Sequence, residues 1–496
     1  MKSLLYRSHR WIGLVACVPI LAWTVSGIAH PVMGWLSPEP AQKSFPKRPV
    51  EPSELTIGLR EALEKQGVEE ITWASLVPIE DRTFYQVGVP GTTVPRYFDA
   101  ATGDELVNGD VHFAELLARH FVGDQTSSVT DVGVVTSFDQ EYRPIFQFLP
   151  ARRVLFGRDD NMRAYVDTRA GRLGMLVDRT RGNLLGLFSC LHNWEFVGLP
   201  EVGRVAMLLA FSLFVFAGAL SGLLVYGLMW RRLGMGAQAR TPRGRLRKFH
   251  RLAGLSVSGI MLLFAFSGGY HALKKLDPQL HGFPLGERRC AVSGIQRSPK
   301  EVFELAEETG PVRDLQLVVH QGEPHYLVSF VGRENVPNPK LVHATSGLVI
   351  DEGDIAHAKD LATRLDGIEV ATLRGGKRLP TFLREYSPVN KRIPVVRVDL
   401  ETSNNRRLYV DPKTGVVATS MDDSVTWERL SFLFLHKWHF LDPLGMGSDA
   451  RNGAMVVATA SCALVTALGL ALLVGWFRPK LRAKRSDPVL AEEEAP

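Results

Sequence analysis

The sequence predicts an α-helical membrane protein with four transmembrane helices and two α+β extracytoplasmic domains, built as a tandem duplication with pseudo-two-fold symmetry. Three observations predict it. Four charge-free apolar stretches lie at about 11–35, 205–230, 252–273 and 453–477, each near the ~20 residues that cross a bilayer as a helix. The motif His9-Arg10-Trp11-Ile12-Gly13-Leu14 that opens the first stretch returns as His250-Arg251-Leu252-Ala253-Gly254-Leu255 at the third. At the same offset Ser26-Gly27 and His30 return as Ser267-Gly268 and His271. Thirdly, the two long polar segments between the spans repeat one order of helix, strands and turns.

Residues 1–36 form the first transmembrane segment. Lys2, Arg7 and Arg10 give it a basic leader, which invites comparison with a signal peptide. A cleaved signal is not expected: Gly27-Ile28-Ala29-His30-Pro31 is a poor cleavage site, and the same segment recurs in mid-chain. The first outer α+β domain follows at 37–183. A Pro/Lys linker from Pro38 to Pro52 leads to Ser53, expected to cap a helix running to about Gln66. Strands are expected at Glu70–Val77, Thr83–Val89 and Val94–Asp99, a helix at Val111–Phe121 and a strand at Arg163–Asp167. Residues 184–230 hold an interfacial helix and the second span, 231–249 a basic loop and 250–275 the third span.

The second outer domain, 276–425, repeats the first. A helix is expected at about Pro299–Glu308, with strands near Val312–Val319, His325–Phe330 and Lys340–His343. Ala344-Thr345-Ser346-Gly347 takes the place of Ala100-Ala101-Thr102-Gly103, and Tyr409-Val410-Asp411 that of Tyr165-Val166-Asp167. Residues 426–477 hold the second interfacial helix and the fourth span, and 478–496 form a tail. The stretch Arg231 to Arg251 is rich in arginine and has no acid, and the tail carries Arg478, Lys480, Arg482, Lys484 and Arg485. Both flanks, with the N-terminus, are therefore read as cytoplasmic. The outer domains then face the periplasm of a bacterial inner membrane. The two halves run parallel, related by an axis along the membrane normal.

Composition excludes several classes. The net charge of +6 is concentrated in the membrane flanks, so it does not argue for nucleic acid. Cys17, Cys190, Cys290 and Cys462 lie far apart, without zinc-finger, thioredoxin-like or c-type haem spacing, and no disulfide is expected. No glycine-rich dinucleotide or phosphate loop is present, nor a hydrolase triad.

Seven of the fourteen histidines lie at span ends: His9, His30, His192, His250, His271, His436 and His439. Polar groups in or beside spans are costly unless used. His9 and His30 stand ~31 Å apart along a helix, one near each membrane face. The pseudo-two-fold brings His9 and His250 to one depth, where a planar macrocycle between them would gain two axial ligands, as in bis-histidine haem b. His30, His271, His192 and His436 form an outer layer able to hold one haem or two. His439 answers to Glu195 in the repeat and is the weakest ligand, though at i+3 from His436 it makes a possible divalent-metal pair. Gly13, Gly27, Gly254 and Gly268, with Gly218 and Gly222 in the second span, suit close approach of a cofactor or a neighbouring helix. Trp11, Trp23, Phe264 and Phe266 read foremost as core or lipid-facing aromatics. His112, His120, His281, His320, His325, His343 and His357 read as scattered and mostly solvated.

The openings His9-Arg10-Trp11-Ile12-Gly13 and His250-Arg251-Leu252-Ala253-Gly254, the pairs Leu191-His192 and Leu435-His436, and Tyr97-Phe98-Asp99-Ala100-Ala101-Thr102-Gly103 resemble the PepSY-associated transmembrane family. That resemblance makes the outer regions PepSY-like domains. Among the members it implies are inner-membrane ferric-siderophore reductases, di-haem b proteins that pass electrons outward. There the inner haem would match His9 and His250, and the outer haem His192 and His436. The expected cofactor is haem b, two copies or three. The expected partners are a cytoplasmic or quinol electron donor, an extracytoplasmic acceptor such as a ferric siderophore docked between the outer domains, and the lipid bilayer. Two other readings stand beside this one: a quinol-linked oxidoreductase for another periplasmic acceptor, and a non-enzymatic PepSY module that binds a peptide or protein.

Overall fold

The computed structural model describes residues 2–46, 48–146, 148–229, 241–276, 283–306, 312–330, 339–365, 368–383, 385–387 and 391–485. In chain order, α1 spans Lys2–Leu36 and α2 Leu59–Lys65. They are followed by β1 (Glu70–Ile71), β2 (Trp73–Ile79), β3 (Arg82–Gly88) and β4 (Arg96–Asp99). Then come α3 (Gly109–Val122), β5 (Val129–Val135), β6 (Ala151–Phe156), β7 (Arg163–Asp167) and β8 (Arg172–Val177). The middle of the chain is helical: α4 (Arg179–Leu191), α5 (Glu201–Leu228) and α6 (Pro242–Lys274). The second polar segment holds β9 (Phe283–Pro284), β10 (Cys290–Ala291), α7 (Pro299–Leu305), β11 (Val312–His320), β12 (Glu323–Phe330), β13 (Lys340–His343) and β14 (Val349–Ile350). It continues through α8 (Gly353–Ala362), β15 (Leu373–Leu379), β16 (Val395–Leu400), β17 (Arg407–Asp411) and β18 (Val416–Met421). The chain closes with α9 (Asp423–Ser431) and α10 (Ser448–Arg485).

Two compact units result: residues 1–36, 183–278 and 425–496 make one, residues 37–182 and 279–424 the other. In the first, among the described residues, four helices are long and apolar enough to cross a membrane. α1 and α6 each pack on both α5 and α10, so they occupy opposite corners of a four-helix bundle. Ala16, Val215 and Ala265 form one packed layer, and Ala219, Val257, Met261, Cys462 and Val465 another. Alanines at Ala16, Ala265 and Ala219 let the helix backbones approach closely. α6 starts earlier than the apolar pattern suggests. Thr241 caps it, accepting the Gly244 N–H at 3.0 Å, and Pro242 supplies the first turn. Arg243, Arg245, Arg247 and Lys248 therefore ride on helix rather than loop. Arg231 and Arg232 lie outside the described residues, as do the side chains of the basic tail.

In the second unit the two polar segments share one sheet. Its order is β14-β13-β12-β11-β2-β3-β4, seven strands joined where β11 pairs antiparallel with β2. The core beneath draws Leu76, Tyr85 and Phe98 from one segment and Leu315, Tyr326 and Val342 from the other. The outer domains, expected as two, are thus continuous at this sheet. Each segment then adds its own sheet: β5–β8 in four strands around α3, and β15-β16-β17-β18-β9 in five around α8. The helix expected from Ser53 is delayed. Pro52–Glu54 makes a 3-10 turn closed by the Glu54 carboxylate on the Glu51 N–H at 3.1 Å, and α2 begins only after Gly58.

Candidate functional site

Histidines of the membrane unit fall into two groups, separated by what occupies their ring nitrogens. On α1, His9 Nδ1 lies 2.9 Å from the Ser221 hydroxyl of α5. That hydroxyl donates its proton to the Gly218 carbonyl at 3.0 Å, so it can only accept from His9. The proton is therefore on Nδ1, and Nε2 keeps its lone pair. On α6, His250 Nδ1 lies 3.1 Å from the Val465 carbonyl of α10. A carbonyl has no proton to give, so the same tautomer follows. Each ring rests over a glycine: a Cβ on Gly222 would stand 3.1 Å from His9 Cε1, and one on Gly469 3.1 Å from His250 Cε1. The two imidazoles lie within electrostatic reach of each other.

His192 and His436 form a second pair. Their rings stand edge to face with centroids 6.4 Å apart. His192 Nδ1 is 3.1 Å from the Ser26 hydroxyl and His436 Nδ1 3.2 Å from that of Ser267. Both serines are buried and already donate back along their helices, Ser26 to Ala22 at 3.0 Å and Ser267 to Leu263 at 2.7 Å. Again each imidazole must donate from Nδ1 and keep a lone pair on Nε2. Phe188 stacks on His192 at 4.5 Å and Phe432 on His436 at 4.9 Å, both nearly parallel. Trp23 fixes the backbone by donating to the His192 carbonyl at 3.1 Å. The local turn at His436 is a π-helix over Phe432–His436. Burial holds both rings neutral: His436 is pushed down to about 3, and His192 well below its ordinary value, helped by His436 opposite. Neutral imidazoles with free Nε2 atoms are the form that binds a metal ion.

The remaining span-end histidines are engaged elsewhere. His30 packs on Phe188, and Lys437 Nζ lies 3.1 Å from its Nε2. His271 stacks on Phe432 and has its Nδ1 2.6 Å from the Glu428 carboxylate. His439 stands in an ion-pair network with Asp442, 2.9 Å from Nδ1, and Arg451. His439 thus has a carboxylate beside it, but that carboxylate is bound by arginine. The aromatics divide as well. Phe264 packs on His436 and Trp438, while Trp11 and Phe266 lie on the outer face of the bundle. Trp194 and Trp438 share a left-handed backbone, and among the described residues both buried indole N–H groups lack an acceptor.

Other features were missed or misread in the sequence. Gly469, which packs on His250 as Gly222 packs on His9, sits in an Ala/Leu run, Ala467-Leu468-Gly469-Leu470-Ala471, with no motif around it. The outer-unit histidines are not mostly solvated: His320, His325 and His357 are buried together, whereas His112 is exposed beside Glu80. His120 reaches the Ser44 carbonyl at 2.9 Å, His343 is half-buried, and His281 lies outside the described residues. Within the outer unit a cavity of about 380 Å³ is lined by Trp73, Phe148, Arg169, Glu287 and Arg392.

A family model described as the PepSY-associated TM region matches residues 6–309. The match takes in His9, His30, His192, His250 and His271 and stops before His436. No curated protein matches the chain.

Proposed function

The chain belongs to the PepSY-associated transmembrane family, and from that premise we propose that it is a haem-b transmembrane electron-transfer protein. In this reading it is built as a tandem duplication with pseudo-two-fold symmetry. Electrons come from the cytoplasmic side or from quinol, and the acceptor is an extracytoplasmic ferric chelate of the siderophore-iron type. The membrane is the bacterial inner membrane, with both termini inside. The observation that carries the reading is the set of four imidazoles, His9, His250, His192 and His436, each held through Nδ1 with Nε2 left to a metal.

The residues fit the group on three counts. His192 and His436 stand 6.4 Å apart with Nδ1 tied to Ser26 and Ser267, so their Nε2 atoms are the donors available to a metal. Gly222 and Gly469 leave room under the inner rings that a side chain would take. The unpartnered indole N–H groups of Trp194 and Trp438 suit a ligand that carries acceptors. Bound haem would supply a one-electron couple. His9 with His250, and His192 with His436, would hold it; Ser221, Val465, Ser26 and Ser267 would set ring orientation and ligand basicity. Phe188 and Phe432 exclude water from the outer pair. His30 and His271 stand behind them as flanking groups, so two haems are favoured over three. Arg169 and Trp73, whose guanidinium and ring stack at 4.5 Å, give the outer cavity a character suited to an anionic chelate.

The test is the haem content and redox response of the purified full chain. The expected result is two haems b per chain, a dithionite-dependent α band, and reoxidation by a ferric chelate. A folded, colourless preparation overturns the reading and favours a PepSY binding module. Reoxidation by a periplasmic redox protein but by no ferric chelate moves the acceptor to the quinol-linked alternative.

A further inference from the structure

The outer unit holds a second concentration of imidazoles, far in sequence from the span ends. β11 ends at His320, the chain turns through Gln321 and Gly322 with positive φ at both, and β12 brings back His325. His343 pairs with His325 across the β12–β13 ladder. α8 passes the end of these strands and presents His357 and Asp360 one turn apart on one face. The rings of His320 and His325 are 5.2 Å apart, and those of His320 and His357 5.7 Å.

One atom each from His320, His357 and Asp360 comes together, all within 4.8 Å of one another. Both histidines are nearly fully buried, at 4% and 2% exposure. Among the described residues, Nδ1 of His320 and Nδ1 of His357 have no hydrogen-bond partner. Buried ring nitrogens are ordinarily satisfied. Two orphans beside one buried carboxylate leave a gap shaped for a ligand. We propose that His320, His357 and Asp360 bind a first-row divalent transition-metal ion of the Zn²⁺ class in the outer unit.

The chemistry of the donors matches. Two imidazoles and a carboxylate form a common three-ligand set for such ions, with a fourth position left for water or another ligand. Burial keeps His357 neutral, pushed down to about 3, and also lowers His320. Burial alone would raise Asp360, but Arg364 and Arg288 outweigh it and keep the carboxylate ionised. Those arginines are the charged groups facing the site. Arg364 donates to Asp360 Oδ2 at 2.8 Å and to the Val319 carbonyl at 2.7 Å; Arg288 approaches Asp360 at 3.4 Å. Both arginines bond Oδ2, the oxygen 3.9 Å from His320 Nδ1, and so orient the carboxylate as outer-shell donors do around metal-bound carboxylates. A cavity lined by Val318, Val319, His357, Leu361 and Arg364 gives access. His325, whose Nδ1 is 3.0 Å from the Glu323 carbonyl, is already oriented and lies behind His320.

The experiment is zinc equilibrium dialysis of the chelator-stripped full-length protein, with His357→Gln and Asp360→Asn as variants and His357→Cys as a replacement ligand. The expected result is one equivalent of tightly held zinc in the wild type. Each of the first two variants loses it, and His357→Cys retains it because thiolate is a zinc ligand. Zinc-edge absorption of the wild type shows two imidazoles. Zinc also raises the unfolding temperature of the wild type, by mass action, and not that of His357→Gln. Should His357→Gln fail to fold, Asp360→Asn carries the comparison. Equal zinc stoichiometry in wild type and variants overturns the site, whatever the haem content of the membrane unit.

Discussion

A Cβ built on Gly469 would stand 3.1 Å from Cε1 of His250. Tight packing of this kind admits alanine after a shift of a few tenths of an ångström, but not a branched side chain. On the proposed two-haem reading, Gly469→Ala is expected to keep both haems. Gly469→Leu displaces the His250 ring from the Val465 carbonyl and loses about half of the bound haem. Gly222→Leu, acting on His9, gives the same loss. The pyridine haemochrome of each purified variant measures this, with far-UV circular dichroism to establish that helix content is unchanged. Full haem in both leucine variants would separate the inner histidines from haem binding.

Ser26 and Ser267 act on the outer pair through the imidazoles they bond. Each hydroxyl accepts one Nδ1–H, and losing such a partner costs about 1 kcal/mol. Ser267→Ala should therefore keep haem at purification but release it to apomyoglobin about fivefold faster. The low-spin signal of one haem in electron paramagnetic resonance should broaden as His436 gains rotational freedom. Ser256→Ala, which removes an exposed hydroxyl bonded to the Leu252 carbonyl, is the control and should change neither.

What the sequence disclosed, and what it hid, follows from the range of the interactions. The spans were legible because bilayer crossing imposes an apolar run on each. Arg163–Asp167 and Lys340–His343 appear as strands at the expected residues because turn signals flank them closely. Pairing of β2 with β11 joins residues such as Ser75 and Gln316, and no local pattern announces a partner so distant. The tautomers of His9 and His250 were equally hidden, since they depend on Ser221 and Val465 on other helices. The outer-unit cluster had one local sign, His357 and Asp360 at i, i+3. Taken alone it is indistinguishable from a solvated helix face, and only the strand end carrying His320 gives it meaning.

Asp110 ties α3 to the sheet beside it. Arg152 Nε donates to one carboxylate oxygen at 2.6 Å and the Tyr97 hydroxyl to the other at 2.9 Å, and all three side chains are buried. Asp110→Ala leaves the Arg152 guanidinium buried without its counter-charge. The expected cost to the outer unit is about 3–5 kcal/mol. Asp131→Ala removes an exposed partner of Arg153 and should cost about 0–1 kcal/mol. Urea unfolding followed by hydrogen exchange of the β5–β8 amides distinguishes them. Equal midpoints would mean that Arg152 finds another partner or reaches water.

Glu54 gives the outer unit an acid-sensitive anchor. Its carboxylate takes both Arg48 nitrogens, at 2.7 and 2.8 Å, the Thr83 hydroxyl at 2.6 Å and the Glu51 N–H at 3.1 Å. The Arg48 hydrogen bonds, only partly opposed by burial, pull its pKa down to about 2. A folded value below the unfolded one means that the unfolded chain binds the proton first. The contribution is therefore whole above about pH 4.5 and is lost as pH falls through about 2. Solvent screening at the partly exposed Arg48 reduces it to about 1 kcal/mol. Amide exchange over Glu51–Leu55, compared between about pH 5.5 and about pH 3 after correction for intrinsic rates, should show protection falling in the wild type. In Glu54→Gln protection should be low at both pH values. An unchanged pH response in Glu54→Gln would assign the acid sensitivity of this turn to another group.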